Sequence, residues 1–254
     1  VAHAACVVAI VLPFCSSESS SSAKAAGSQS HILARDNISS ARRKELAAKL
    51  RKITGWSDLE FDRNGGLHGG LRAAVGGSRT AREFLASVMR GPAVVVLEDA
   101  SRSSEVAFCR VNPGRWTNDS ATKPAAYVVK IDFSDFEYVT GDQRARDAFD
   151  VGWGLLHELD HIANDSKDAT SLAESGECET HINRMRRELN LPERASYYYT
   201  ALSLTSDPVF ITRLVRLEFE QEQAPSNKKK RYWLVWDANA VGGLDAQKQI
   251  ASLR

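Results

Sequence analysis

The chain has 254 residues, 43% hydrophobic and 26% charged, the make-up of an ordinary globular protein with material for one sizeable core or two small ones. Lys and Arg number 33 against 32 Asp and Glu, a formal net charge of +1, which argues against a nucleic-acid partner or a broad membrane-binding face. The basic run Lys228-Lys229-Lys230-Arg231 is the exception, and it reads as a solvated hairpin loop between two strands.

Residues Ala4 to Phe14 form an apolar run too short to span a bilayer, followed by a Ser-rich tract from Ser16 to Ser30. That order, with Ala23-Lys24-Ala25 as an A-x-A site, is expected of a secretory signal peptide and linker over residues 1–30. A secreted or periplasmic location follows as the expectation, with the cytoplasm as the alternative, and no membrane span beyond the leader. Outside it stand Cys109 and Cys178, which could pair or could be buried thiols; no CxxC exists for a thiolate zinc site.

The body reads as a domain over 31–200 and a β-rich extension over 201–254 packed on it. Ser39 to Ile53 has a Ser cap and then Leu46, Leu50 and Ile53 at helical spacing. Glycines crowd Gly65 to Gly77, a loop, and Thr80 to Met89 is a second short helix. Three strand-like runs follow: Ala93 to Glu98, Glu105 to Val111 and Ala126 to Phe133. A long helix is predicted from Asp142 to Ala163 and another from Glu177 to Asn190, stopped by Pro192. Val209 to Glu220 and Tyr232 to Trp236 predict a hairpin around the Lys-rich loop.

The long helix carries His157-Glu158-Leu159-Asp160-His161, an H-E-x-x-H pattern. Residues four apart share a helix face, so both imidazoles can reach one ion, and Glu158 falls beside the position where water binds. Zinc lowers the pKa of such a water from 15.7 to about 7, and Glu158 would take its proton and hand it to the leaving amine. Chance alone gives this pattern in a chain of this size on the order of one time in a hundred. Phe149, Trp153, Leu156, Leu159 and Ile162 supply the helix with an apolar face. The metzincin extension would need Gly at 164 and His at 167; the chain has Asn164 and Lys167. The third ligand is therefore sought in the next helical stretch, which offers Glu174, Glu177, Glu179 and His181.

These residues resemble a zincin metallopeptidase of the gluzincin kind, in which the ligand glutamate opens an E-x-x-x-[DN] pattern on a second helix, here Glu179 to Asn183. The likeness, to small bacterial zincins whose second helix soon ends at a proline, covers about residues 125 to 192. It implies an α+β, zincin-like fold: a mixed sheet, the H-E-x-x-H helix, a second ligand-bearing helix and, in this chain, a C-terminal β-hairpin. It implies one zinc ion per chain on His157, His161 and Glu179, with Glu158 as general base and a peptide or protein as substrate. Asn183 would orient a ligand histidine. Glu177 is the rival third ligand, since it heads the helix after Gly176, and His181 is a candidate donor to a developing oxyanion. The strand before the motif helix, Tyr127 to Phe133, would be either the edge that binds the substrate backbone or an ordinary interior strand. Two other readings stay open. One is a metal-stabilised binding module without turnover, its fourth ligand drawn from Glu177, Glu179 and His181. The other is a secreted interaction protein that makes contact through Trp233 and Trp236.

Overall fold

The structure is a computed structural model and describes residues 30–117, 123–171, 174–202, 213–226 and 228–242. The leader expected over 1–30 falls outside these except for Ser30, as do the first residues of the strand expected from Val209. In chain order the first elements are β1 (Ile32–Ala34), α1 (Ser40–Thr54), β2 (Glu60–Phe61), β3 (Leu67–His68), α2 (Arg79–Arg90), β4 (Val94–Asp99), β5 (Cys109–Pro113) and β6 (Ala126–Ile131). There follow α3 (Phe133–Tyr138), β7 (Thr140–Gly141), α4 (Gln143–Asp147), α5 (Val151–Asn164), α6 (Glu177–Glu188), β8 (Glu193–Arg194), β9 (Thr200–Ala201), β10 (Leu214–Gln223) and β11 (Lys228–Asp237).

The fold is α+β with mixed pairing. One sheet has the order β1-β4-β6-β5, with β1, β4 and β6 parallel and β5 antiparallel on the edge. The period of two along β4 and β6 turns Val95, Leu97, Val129 and Ile131 inward, where they meet Leu46 and Leu50 of α1 and Leu155, Leu156 and Leu159 of α5 in one core. Trp153 is 1% exposed in that core and satisfies its indole N–H on the Asp147 carbonyl at 3.0 Å. Burial of such a side chain is worth at least about 1.5–3 kcal/mol. A second, antiparallel sheet runs β7-β11-β10-β8, with β9 also on β10, over a smaller core of Val215, Leu217, Phe219, Leu234 and Trp236.

Several expectations change in the structure. The helix predicted over Asp142 to Ala163 is two helices, because Asp150 adopts extended backbone and caps the second by accepting from the N–H groups of Gly152 and Trp153. Of the strand expected over Glu105 to Val111, only the end from Cys109 joins the sheet. Phe133 opens α3 instead of ending β6. Of the two readings of Tyr127 to Phe133, the interior one holds: β6 lies between β4 and β5, and β5 is the edge. The basic run is strand, not loop: Lys229 pairs with Glu220 at 2.8 Å and Arg231 with Glu218 at 2.9 Å across the hairpin. Of the two tryptophans considered as a contact face, Trp236 is buried, while Trp233 is half-buried with the Arg216 guanidinium over its ring at 4.3 Å. Among the described residues, no helix is long and apolar enough to cross a membrane.

Candidate metal centre

Helix α5 lies against the edge strand because Gly154 has no side chain; a Cβ there would sit 2.9 Å from both Cys109 Sγ and Phe136 Cζ. That close approach puts Glu158 within reach of β5, and its Oε2 accepts the Val111 N–H at 2.8 Å. Glu158 is 8% exposed, and burial raises its pKa above the ordinary glutamate value.

His157 and His161 stand on the same face, their ring centroids 4.9 Å apart. His161 Nδ1 is 2.7 Å from the Ser166 carbonyl, an acceptor only, so that nitrogen carries a hydrogen and Nε2 is the nitrogen left to face a ligand. His157 Nδ1 faces the Glu179 carboxylate at 3.5 Å, which favours the same tautomer. Both Nε2 atoms then converge on one oxygen, Oδ1 of Asp168, at 3.1 Å from His157 and 3.4 Å from His161.

Asp168 is placed by its neighbours. Asp165 ends α5 at φ 52°, and the chain turns back so that the Lys167 carbonyl accepts from the N–H groups of Glu177 and Cys178 at the start of α6. On the other side, Tyr198 Oη donates to the Ala169 carbonyl at 2.6 Å. Asp168 is held well below the usual carboxylate range: burial opposes its charge, but the two imidazoles outweigh it.

The expected third ligand, Glu179, occupies a different place. It is 1% exposed, paired with the buried Arg186 and with Arg194 at 3.1 Å, and it touches the Nδ1 side of His157, away from Asp168. Burial would raise its pKa, yet the two guanidinium groups push it far down. Its oxygens are already engaged, so it orients His157 and is not the group that meets the two Nε2 atoms. The rival Glu177 is exposed and accepts the Lys167 N–H at 3.2 Å, which steadies the loop bearing Asp168. Asn183 does not touch a ligand histidine; its amide clamps the backbone of Arg194 and the Arg186 side chain, the two partners of Glu179. His181 turns to the buried Asp160 at 2.9 Å and does not enter the cavity.

Donor atoms of His157, His161 and Cys178 lie within 4.8 Å of one another, so this group could hold a metal ion. The Cys178 thiol, however, donates to the His157 carbonyl at 3.2 Å, and burial pushes its pKa up to about 12. A metal ion there would have to displace the thiol hydrogen, which it need not do at the Asp168 carboxylate. Cys109 and Cys178 are both free thiols. Sequence reasoning missed Asp168, the seventh residue after His161. The Tyr197 ring also reaches the site: it stacks on His157 with centroids 6.1 Å apart, and its phenol helps to hold the Asp168 carboxylate in its charged form. His157, Glu158, His161, Asp168 and Tyr197 all line one cavity of about 580 Å³. No family model, curated protein or solved structure matches the chain.

Proposed function

We propose that the chain is a zinc-dependent peptidase of the zincin kind, with His157, His161 and Asp168 as metal ligands and Glu158 as general base. The observation that carries this reading is the convergence of two imidazole Nε2 atoms on one carboxylate oxygen, at 3.1 and 3.4 Å, beside a buried glutamate. Arms of about 2.0–2.1 Å around a tetrahedral zinc ion would separate its donors by about 3.3–3.4 Å, close to the two Nε2–Oδ1 distances. A zinc ion held there supplies Lewis acidity to a peptide carbonyl and to water.

The chain's own groups account for the rest. Val111 N–H fixes Oε2 of Glu158 and leaves Oε1 to accept a proton from water. The raised pKa of Glu158 brings it nearer the range in which it can also return that proton to a leaving amine. Ser166 and Glu179 hold the two rings in their tautomers. The edge of β5 beside Glu158, whose Val111 N–H is taken by Glu158, would offer its outward carbonyl groups to an extended peptide.

The test is metal content and cleavage of a mixed peptide library, for the native protein and for Glu158→Gln. Close to one zinc per chain in both, with cleavage lost by a factor of about 10²–10⁴ in the variant, is the expected result. Absence of zinc from both would sink the proposal. Zinc in both and cleavage in neither would favour the metal-stabilised binding module, for which Cys178 is the nearest remaining donor.

A further inference from the structure

The cavity does not end at the polar groups. Beyond His157 and Glu158 it continues into an apolar half walled by Phe108, Phe136, Phe149, Trp236 and Val241, residues from five separate segments of the chain. Phe108 is the hub: its ring centroid is 5.1 Å from that of Phe136, 5.0 Å from Phe149 and 5.4 Å from Trp236. Its backbone stands at φ 62°, a left-handed conformation that a bulky side chain rarely adopts. The Phe108 N–H donates to Asp135 Oδ2 at 2.8 Å, and its carbonyl accepts the Asp132 N–H at 2.8 Å. Asp135 is 1% exposed, and its other oxygen accepts the Gly242 N–H at 3.2 Å, which draws the Val241 wall to the same place. One buried carboxylate thus ties together two walls that are far apart in the chain and keeps an aromatic ring in a strained position. A core needs no such device, whereas a shaped binding wall does.

Resting on the peptidase reading, we infer that this apolar half is a recognition subsite for a bulky apolar side chain, aromatic or large aliphatic, next to the scissile bond. Three cationic groups reach the cavity: Arg186 and Arg194 are paired with Glu179, and Arg110 donates to the Glu105 carbonyl at 3.3 Å. A charged side chain driven among the aromatic rings would lose its hydration without a partner. A bulky apolar one would displace water from rings already fixed in place, and continuity with His157 and Glu158 sets it beside the reacting groups.

The test has two readouts. The first is calorimetric titration of N-acetyl-phenylalaninamide, N-acetyl-lysinamide and N-acetyl-aspartylamide into the native protein, Phe108→Gly and Ala107→Trp. Glycine tolerates the Phe108 backbone while removing the ring, and tryptophan at Ala107, another wall residue, would plug the cavity. Melting temperatures identify a variant that fails to fold, and the other then decides. The second readout is the position of cleavage in a peptide library. Phenylalaninamide is expected to bind at least about tenfold more tightly than either charged amide, with that preference lost in both variants. Cleavage is expected beside bulky apolar residues. Equal binding of the three amides, or a preference that survives both variants, overturns the subsite even if the protein cleaves peptides. Selective binding without any cleavage supports the subsite and defeats the peptidase reading instead.

Discussion

Two neighbouring segments each bring a carboxylate to His157, and they do so in opposite manners. Glu179 comes from a regular helix, is fully buried, and is bracketed by Arg186 and Arg194. Asp168 comes from the loop between α5 and α6, is partly exposed, and has imidazole and phenol groups as neighbours. A carboxylate whose charge is already cancelled by two guanidinium groups has little left to give a cation. Asp168 is balanced only by the Nε2 edges of two imidazoles, whose hydrogens a metal ion would replace, so its charge is available at the point where both rings aim. On the proposed reading, burial and helical regularity mark the orienting group, and the irregular loop carries the ligand.

Exchanging each carboxylate for its amide tests that division most severely. Glu179→Gln leaves Arg186 buried with its charge uncompensated and is expected to cost about 3–5 kcal/mol in urea unfolding. Through His157 it should also weaken zinc binding by about 10–100-fold, the usual effect of an orienting partner. Asp168→Asn is expected to lower zinc affinity by more than that, measured by competition with a chelator. If Asp168→Asn kept native affinity while Glu179→Gln lost all metal, the roles would have to be exchanged.

The two segments also differ in how far they could be read from the sequence. Helix α5 was legible because its evidence is local: the spacing of Trp153, Leu156 and Leu159, and two histidines four apart. Helix α6 was legible in the same way, and Glu179 attracted attention because it stood on it. Asp168 owes its position to the Lys167 carbonyl binding the start of α6 and to Tyr198 binding Ala169, contacts between residues that no periodicity links. Tyr197 was hidden in a run of three tyrosines, where nothing separates the one that stacks on His157. The edge position of β5 was equally out of reach, since strand order is decided by tertiary packing. The Lys-rich run failed for a related reason. Its charges looked like a loop until the glutamates of β10 came opposite them.

A third carboxylate sharpens the contrast from the side of burial alone. Asp135 is as buried as Glu179 but has backbone N–H donors and Asp132 where Glu179 has two arginines, and burial raises its pKa to about 6. The folded state therefore holds a proton more tightly than the unfolded chain, whose aspartate sits near 3.8. Between those values the folded form binds more protons, so stability is greatest below the window and falls as pH rises through it, by at most about 3 kcal/mol. Unfolding measured from pH 4 to 7 for the native protein and Asp135→Asn should show this slope flattened in the variant. An unchanged slope would mean that Asp135 does not titrate there.

Tyr197 joins the two carboxylates, and its removal is the smallest effect expected. Its phenol is one of the groups that hold the Asp168 carboxylate charged, while its ring stacks on His157 and lies under the Arg194 guanidinium, 4.9 Å from the centroid, which in turn pairs with Glu179. Burial first, and then the charge of Asp168, push the phenol pKa up, so the hydroxyl keeps its hydrogen and acts as a donor. Tyr197→Phe retains the ring and its stacking on both sides and deletes only that donor. If the hydroxyl aims Asp168, zinc affinity and kcat should each fall by about tenfold with KM nearly constant, the scale of a lost outer hydrogen bond. If Tyr197 is packing alone, the phenylalanine variant should match the native protein in both. A fall in kcat without any change in zinc affinity would assign the hydroxyl to the reacting carbonyl rather than to Asp168, and Tyr197 would then count among the catalytic residues.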